Sequence, residues 1–201
     1  MAEAATTTTA PASEIFRLEP HESGFVHLVM DHPARKLNVL DMAAIEALDR
    51  ALEQIRQGPA PAGVVLRSGK PGSFIAGADV EAIGSITSRD EVLGWIRRAH
   101  AAFGKLSSLP CPTVAAIDGV CLGGGAELAL ACDSRIASQE PRTQLGLPEV
   151  LLGIYPGFGG TQRLPRLIGL PAALDLILTG RNIDARRAEK MGLVARTVPA
   201  A

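Results

Sequence analysis

The sequence is poor in aromatic rings, with one Trp, one Tyr and five Phe in 201 residues. Bases and sugars are commonly gripped by ring stacking, so this scarcity turns attention to sites made from backbone amides and glycine turns. One-sided charge is also missing: 20 Lys+Arg stand against 21 Asp+Glu, for a formal net charge of -1. No basic block is longer than a pair such as Arg97-Arg98 or Arg186-Arg187, which excludes the electrostatic footprint of a nucleic-acid binder. Cys111, Cys121 and Cys132 are an odd number without C-x-x-C spacing, so reduced, buried thiols are expected rather than a disulfide or zinc framework. No apolar run approaches the roughly 20 residues of a membrane span. The chain does not open on a basic-then-apolar signal sequence either, and a cytoplasmic protein is the expectation.

What is present is 47% hydrophobic and 20% charged residues, with 21 Gly and 14 Pro, the composition of a soluble globular protein. A chain of this size buries roughly 70% of the surface its unfolded form exposes, enough for one core without disulfides or metal. Residues 1–13 are Ala/Thr/Pro-rich without apolar periodicity and read as a disordered leader to a single domain over 14–201. Strands are expected at FVHLVMD (25–31), GVVLRS (63–68), TVAAI (113–117) and 134–138, from their aliphatic and β-branched content. Asp41 is placed to cap a helix running to about Gln57, with Ile45, Leu48, Leu52 and Ile55 on one face and Gly58 past its end. A second helix is read from Asp90 to about Leu106, a short apolar one from Glu127 to Cys132, then a long loop after 138. Helices over 171–178 and 185–191, the latter with Asp184 as cap, close the chain. The alternation is that of an α/β fold.

Three segments carry the candidate chemistry. Gly119 to Glu127 reads GVCLGGGAE between a buried strand and an apolar helix. Consecutive glycines at a helix start let a ligand atom approach unpaired N–H groups at the positive end of the helix dipole, a setting for an anion or developing oxyanion. A tight, closely packed strand-to-helix turn explains the same residues. A dinucleotide fingerprint fits less well, because Leu128 occupies the place of its third glycine. The loop Ile75-Ala76-Gly77-Ala78-Asp79 leaves its amides sterically open and is able to offer a second donor to the oxygen reached by the Gly124 amide. Finally, Glu149 in GLPEVLLGIYPGFGG (146–160) and Glu127 both adjoin apolar residues. Carboxylates so placed are candidates for raised pKa values and for divided acid and base roles. The histidines 21, 27, 32 and 100 show no HExxH or paired-ligand spacing and are expected as surface or strand residues. No G-x-S-x-G elbow or Walker loop is present, which removes support for acyl-enzyme and nucleotide chemistry.

Taken together, IAGAD (75–79), AAIDGVCLGGGAELALACD (115–133), LGLPEVLLGIYPGFGGTQRLPRLIG (145–169) and LTGRNIDARRAEKMGLV (178–194) closely resemble the crotonase (enoyl-CoA hydratase/isomerase) superfamily. Pro141-Arg142-Thr143 and the spacing of the two glutamates are most similar to the hydratase domain of multifunctional fatty-acid oxidation proteins. The resemblance implies a spiral of ββα units rather than a doubly wound sheet, and a pocket for an acyl-CoA thioester, with coenzyme A as part of the substrate and no separate cofactor or metal. It also implies that the chain ends before the helices that cover the acyl pocket and build the family's trimer, and that relatives work as trimers or within a larger oxidation complex. Residue by residue, it makes the Ala78 and Gly124 amides an oxyanion hole and Glu127 and Glu149 the catalytic carboxylates. It assigns the Gly157 amide to positioning the reacting water. Arg35, Lys36 and Leu37, with Ala76, Gly77, Asp79 and Val80, match segments that hold coenzyme A.

The expected activity is addition of water to trans-2-enoyl-CoA thioesters in fatty-acid β-oxidation. Shift of a 3-enoyl to a 2-enoyl double bond is the alternative reaction, and an inactive acyl-CoA-binding or assembly module is the alternative of a different class.

Overall fold

Short aliphatic runs become strands here with one face on the core: along 113–117 buried and half-buried residues alternate. The computed structural model describes residues 15–79, 83–84 and 87–199. The leader read at 1–13, and Val80, lie outside the described residues. Among the described residues, ten strands form two sheets. They are β1 (Phe16–Pro20), β2 (Phe25–Met30), β3 (Gly63–Ser68), β4 (Ser73–Ile75), β5 (Thr113–Ile117), β6 (Val120–Leu122), β7 (Ser134–Ser138), β8 (Gln144–Gly146), β9 (Ile183–Asp184) and β10 (Arg196–Val198). The first sheet has the order β1-β2-β3-β5-β7-β10 and the second β4-β6-β8-β9.

Three successive strand pairs, β3/β4, β5/β6 and β7/β8, each place their first strand in the larger sheet and their second in the smaller one. A helical segment follows each pair: α2 (Arg89–Ser107), α3 (Gly124–Ala129) and a 3-10 turn (Pro148–Leu152). The chain therefore winds as a spiral of ββα units. Within each sheet these strands run parallel, with Leu66 opposite Ala115, Ala115 opposite Arg135 and Cys121 opposite Leu145. β1 closes one edge as an antiparallel partner of β2, and its terminal Pro20 is tolerated at an edge.

α1 (Met42–Gln57) begins where expected. The Asp41 side chain accepts from the Ala44 amide at 2.8 Å, and Ile45, Leu48, Leu52 and Ile55 are buried. α2 packs beside it through Trp95, Ala99, Ala102, Phe103 and Leu106. The core between helices and sheets includes Leu28, Met30, Leu66, Phe74 and Leu128.

Several expectations are corrected. α3 starts at Gly124 rather than Glu127 and ends at Ala129, so Gly124 and Gly125 lie inside the helix and Gly123 is its cap. The stretch after residue 138 is not one loop, since β8 and the 3-10 turn occupy it. Three helices follow, not two: α4 (Gly160–Ile168), α5 (Leu170–Thr179) and α6 (Ala185–Lys190). α4 carries no starting signal, because Gly159 offers no capping side chain and Pro165 interrupts its pattern. His32, expected at the surface or in a strand, is buried in the loop after β2, with Nε2 3.1 Å from Asp41 Oδ2.

Candidate active site

Glycine permits the contact on which the site is built. An atom added as Cβ at Gly125 would fall 2.3 Å from the Ile75 carbonyl oxygen, so only a residue without a side chain lets α3 lie against the end of β4. That contact brings the 76–79 segment beside the start of α3. A Cβ at Gly124 would sit 3.3 Å from the Ala78 nitrogen, so these two amides are neighbours. Leu40 forms a parallel bridge with Ala78 in which the Leu40 amide donates to Gly77 O (2.8 Å) and the Asp79 amide to Leu40 O (3.4 Å). Alternate amides of an extended segment point to opposite sides, so the Ala78 N–H faces away from that bridge. Gly124, the first residue of α3, has no intrahelical acceptor for its amide. Neither amide has a hydrogen-bond partner among the described residues.

Both amides and both glutamates line one cavity of about 340 Å3, walled also by Trp95, Ile96 and Phe158. Glu127 is 1% exposed, and its Oε1 accepts from the Phe158 amide at 2.8 Å and the Gly160 amide at 2.7 Å. Burial is the chief cause that raises its pKa to about 7; the nearby Glu149 charge adds to the rise, while the two amides and Arg163 oppose it. Glu149 sits on the 3-10 turn, 8% exposed, with Oε1 3.0 Å from the position of a Gly123 Cβ. Its Oε2 is buried without a hydrogen-bond partner among the described residues. Burial likewise pushes its pKa up to about 7. Two carboxyl groups poised near neutrality therefore share a cavity, one anchored by two N–H donors and the other unanchored at Oε2.

The other expected residues divide. Gly157 lines the cavity, and its carbonyl is engaged by His100 Nε2 at 2.7 Å. Ala76 and Gly77 line it too, and the Ala76 amide donates to Asn38 O at 2.8 Å. The exposed loop of Arg35, Lys36 and Leu37 is thus held against 76–79. Asp79 turns to an ion pair with Arg35. Among the thiols, Cys121 and Cys132 are buried as expected while Cys111 is partly exposed. Burial pushes the Cys132 pKa up to about 12, which makes it a poor nucleophile.

Residue reading missed the amides of Phe158 and Gly160, although the glycine-rich 157–160 run signals open main chain. It also missed Asn38, fully buried, whose Nδ2 donates to Met30 O (2.9 Å), Ser68 Oγ (2.9 Å) and Phe74 O (3.2 Å). An isolated Asn in a loop carries no such signal. Trp95, Ile96 and Phe158, to which the residue reading assigns no part in the site, wall the cavity. No helix among the described residues is long and apolar enough to cross a membrane.

Comparison with known proteins agrees with this geometry. The chain is similar to the fatty acid oxidation complex subunit alpha of Vibrio campbellii, with 46% identity over 184 residues, which is 92% of this chain and 26% of that protein. It thus spans about a quarter of the length of the curated relatives it matches. Among solved structures, enoyl-CoA hydratase from Bacillus anthracis aligns at TM-score 0.85 with 38% identity, covering 92% of this chain and 70% of that one. An enoyl-CoA hydratase structure from Geobacillus kaustophilus aligns at TM-score 0.87 with 34% identity, covering 92% and 69%. With the enoyl-CoA hydratase/isomerase family model matching residues 21–201, sequence and spiral fold point the same way: this chain belongs to the enoyl-CoA hydratase/isomerase family.

Proposed function

We propose that the chain is an enoyl-CoA hydratase that adds water to trans-2-enoyl-CoA thioesters in fatty-acid β-oxidation. The observation that carries this is the asymmetry of two carboxyl groups facing one cavity beside two unpaired amides. Addition of water to the conjugated thioester moves negative charge onto its oxygen. The Ala78 and Gly124 amides lower that barrier, at about 3 kcal/mol per donor.

Glu127, whose ionised form is favoured by the Phe158 and Gly160 amides, takes a proton from the water. The water oxygen bonds to C3 and the double-bond electrons pass into the thioester enolate. Glu149, whose unpartnered oxygen favours the protonated form, gives its proton to C2. The Gly157 amide helps to position the water. Glu127 ends protonated and Glu149 ionised, and exchange with water resets both. No cofactor is required, because coenzyme A is part of the substrate. Arg35, Lys36 and Leu37, with Ala76, Gly77, Asp79 and Val80, are assigned to the coenzyme A arm. A double-bond shift needs one shuttling carboxylate, so two carboxyls in one cavity favour hydration.

Loss of the conjugated-thioester absorbance of crotonyl-CoA tests the reading. Glu127→Gln and Glu149→Gln should each lower kcat by about three orders of magnitude with CoA-ester binding nearly intact. Turnover retained in both variants rejects the mechanism, and binding without turnover in the wild-type chain supports an inactive binding module instead.

The chain is further assigned to the cytoplasm and to a trimer or larger oxidation complex. Leu151 and Leu152 of the 3-10 turn, Tyr155 just after it, and Leu170, Leu174 and Leu178 of α5 support an assembly because they are exposed on segments that pack together.

A further inference from the structure

Glu127 is held by a main-chain group whose other end is also held. The Phe158 N–H that donates to Glu127 Oε1 at 2.8 Å belongs to the same peptide unit as the Gly157 carbonyl. No peptide bond among the described residues is cis, so the N–H and C=O of this unit point in opposite directions. On the carbonyl side, His100 Nε2 lies 2.7 Å from Gly157 O. A carbonyl oxygen only accepts, so Nε2 carries the hydrogen of that bond. Imidazole, peptide and carboxylate thus form one chain of hydrogen bonds from the protein surface to the buried acid. His100 is an exposed residue of α2, the helix that buries Trp95, Ala99 and Phe103 on its inner face.

We propose that His100 is a positioning residue for Glu127, acting through the Gly157–Phe158 peptide by fixing its plane and polarising its N–H toward the carboxylate. The segment leading from the 3-10 turn to α4 contains Gly153, Gly157 and Gly159. Its peptide orientations are therefore set by hydrogen bonds more than by side-chain sterics. Hydrogen bonds in series strengthen one another by about 10–30% each, so removing the outer donor weakens the inner one. The second donor to Glu127, the Gly160 amide at 2.7 Å, opens α4 and is oriented by that helix. Charged groups facing Glu127 are Glu149 from the 3-10 turn and Arg163 from α4. Arg163 also donates to Phe158 O at 3.1 Å, which fixes the next peptide along rather than this one.

The kinetic half of this inference rests on the hydratase reading, whereas the electrostatic half does not. In the full chain with 13C-labelled glutamate carboxyls, His100→Ala should move the NMR titration midpoint of Glu127 upward by about 0.5 pH unit. Crotonyl-CoA turnover should fall about three- to ten-fold in kcat with KM within about two-fold, and the acidic limb of the kcat profile should shift with the NMR midpoint. His100→Gln, which keeps a neutral N–H donor, should restore most of both. An unmoved midpoint in a folded His100→Ala chain overturns the proposal, as does lost turnover that Gln fails to rescue. A moved midpoint in a chain whose wild type lacks turnover upholds this inference and rejects the hydratase reading. Wild-type turnover with an unmoved midpoint does the reverse.

Discussion

Glu149 Oε2 is a buried oxygen without a hydrogen-bond partner among the described residues, a situation a neutral carboxyl tolerates far better than an ionised one. Its pKa stands near 7 in the fold against 4.5 as the ordinary value, so the folded chain binds the extra proton between those limits. Stability from this group is therefore intact below about pH 4.5 and is lost as pH rises toward 7. Glu149→Gln, which cannot ionise, should stabilise the chain by about 1–3 kcal/mol at pH 8 and by close to nothing at pH 4. Thermal melts at the two pH values check this, and equal shifts at both would reject it. The glutamates were legible as candidates because a carboxylate among apolar residues is costly wherever it lies. The anchoring of Glu127 was not, because its donors are backbone N–H groups of Phe158 and Gly160, and the identity of a side chain says little about where its amide points.

At the scale of elements, α3 works by what its first turn lacks. A Cβ at Gly124 would fall 3.1 Å from Phe158 Cδ2 and 3.3 Å from the Ala78 nitrogen, wedged where the thioester oxygen is assigned. Gly124→Ala should lower kcat for crotonyl-CoA about 100-fold or more, the loss typical of one oxyanion donor, while circular dichroism remains that of the wild type. Unchanged turnover would exclude a Gly124 contribution to the oxyanion hole. β3, β5 and β7 were readable to the residue, since aliphatic runs between turns admit one interpretation in an α/β chain. β4, β6 and β8 have three residues each, too short for any period to show. They exist because long-range parallel pairing completes the second sheet, a tertiary effect that local propensity does not encode. Resemblance to a known family supplied the spiral that periodicity alone did not.

Across the whole molecule, Asn38 joins parts that are distant in sequence. Its Nδ2 reaches the last residues of β2 and β3 and the middle of β4, and its Oδ1 accepts from the His32 amide at 2.9 Å. Asn38→Leu strands buried polar partners and should cost about 2–4 kcal/mol; an unchanged denaturation midpoint would refute this account. The proposed assembly is tested at the same scale. If the exposed α5 leucines form an interface, Leu170→Glu with Leu174→Glu should shift gel-filtration elution toward the 21.0 kDa monomer, and identical elution would move the interface elsewhere. The stretch 149–160 supplies Glu149, then Gly157, then both amides that hold Glu127. The two groups proposed as acid and base are thus yoked to one short ribbon of chain that bulges outward at Tyr155, 73% exposed. On the proposed mechanism, a protease nick there would not leave a half-working catalyst: it would silence the proposed proton donor and proton acceptor together.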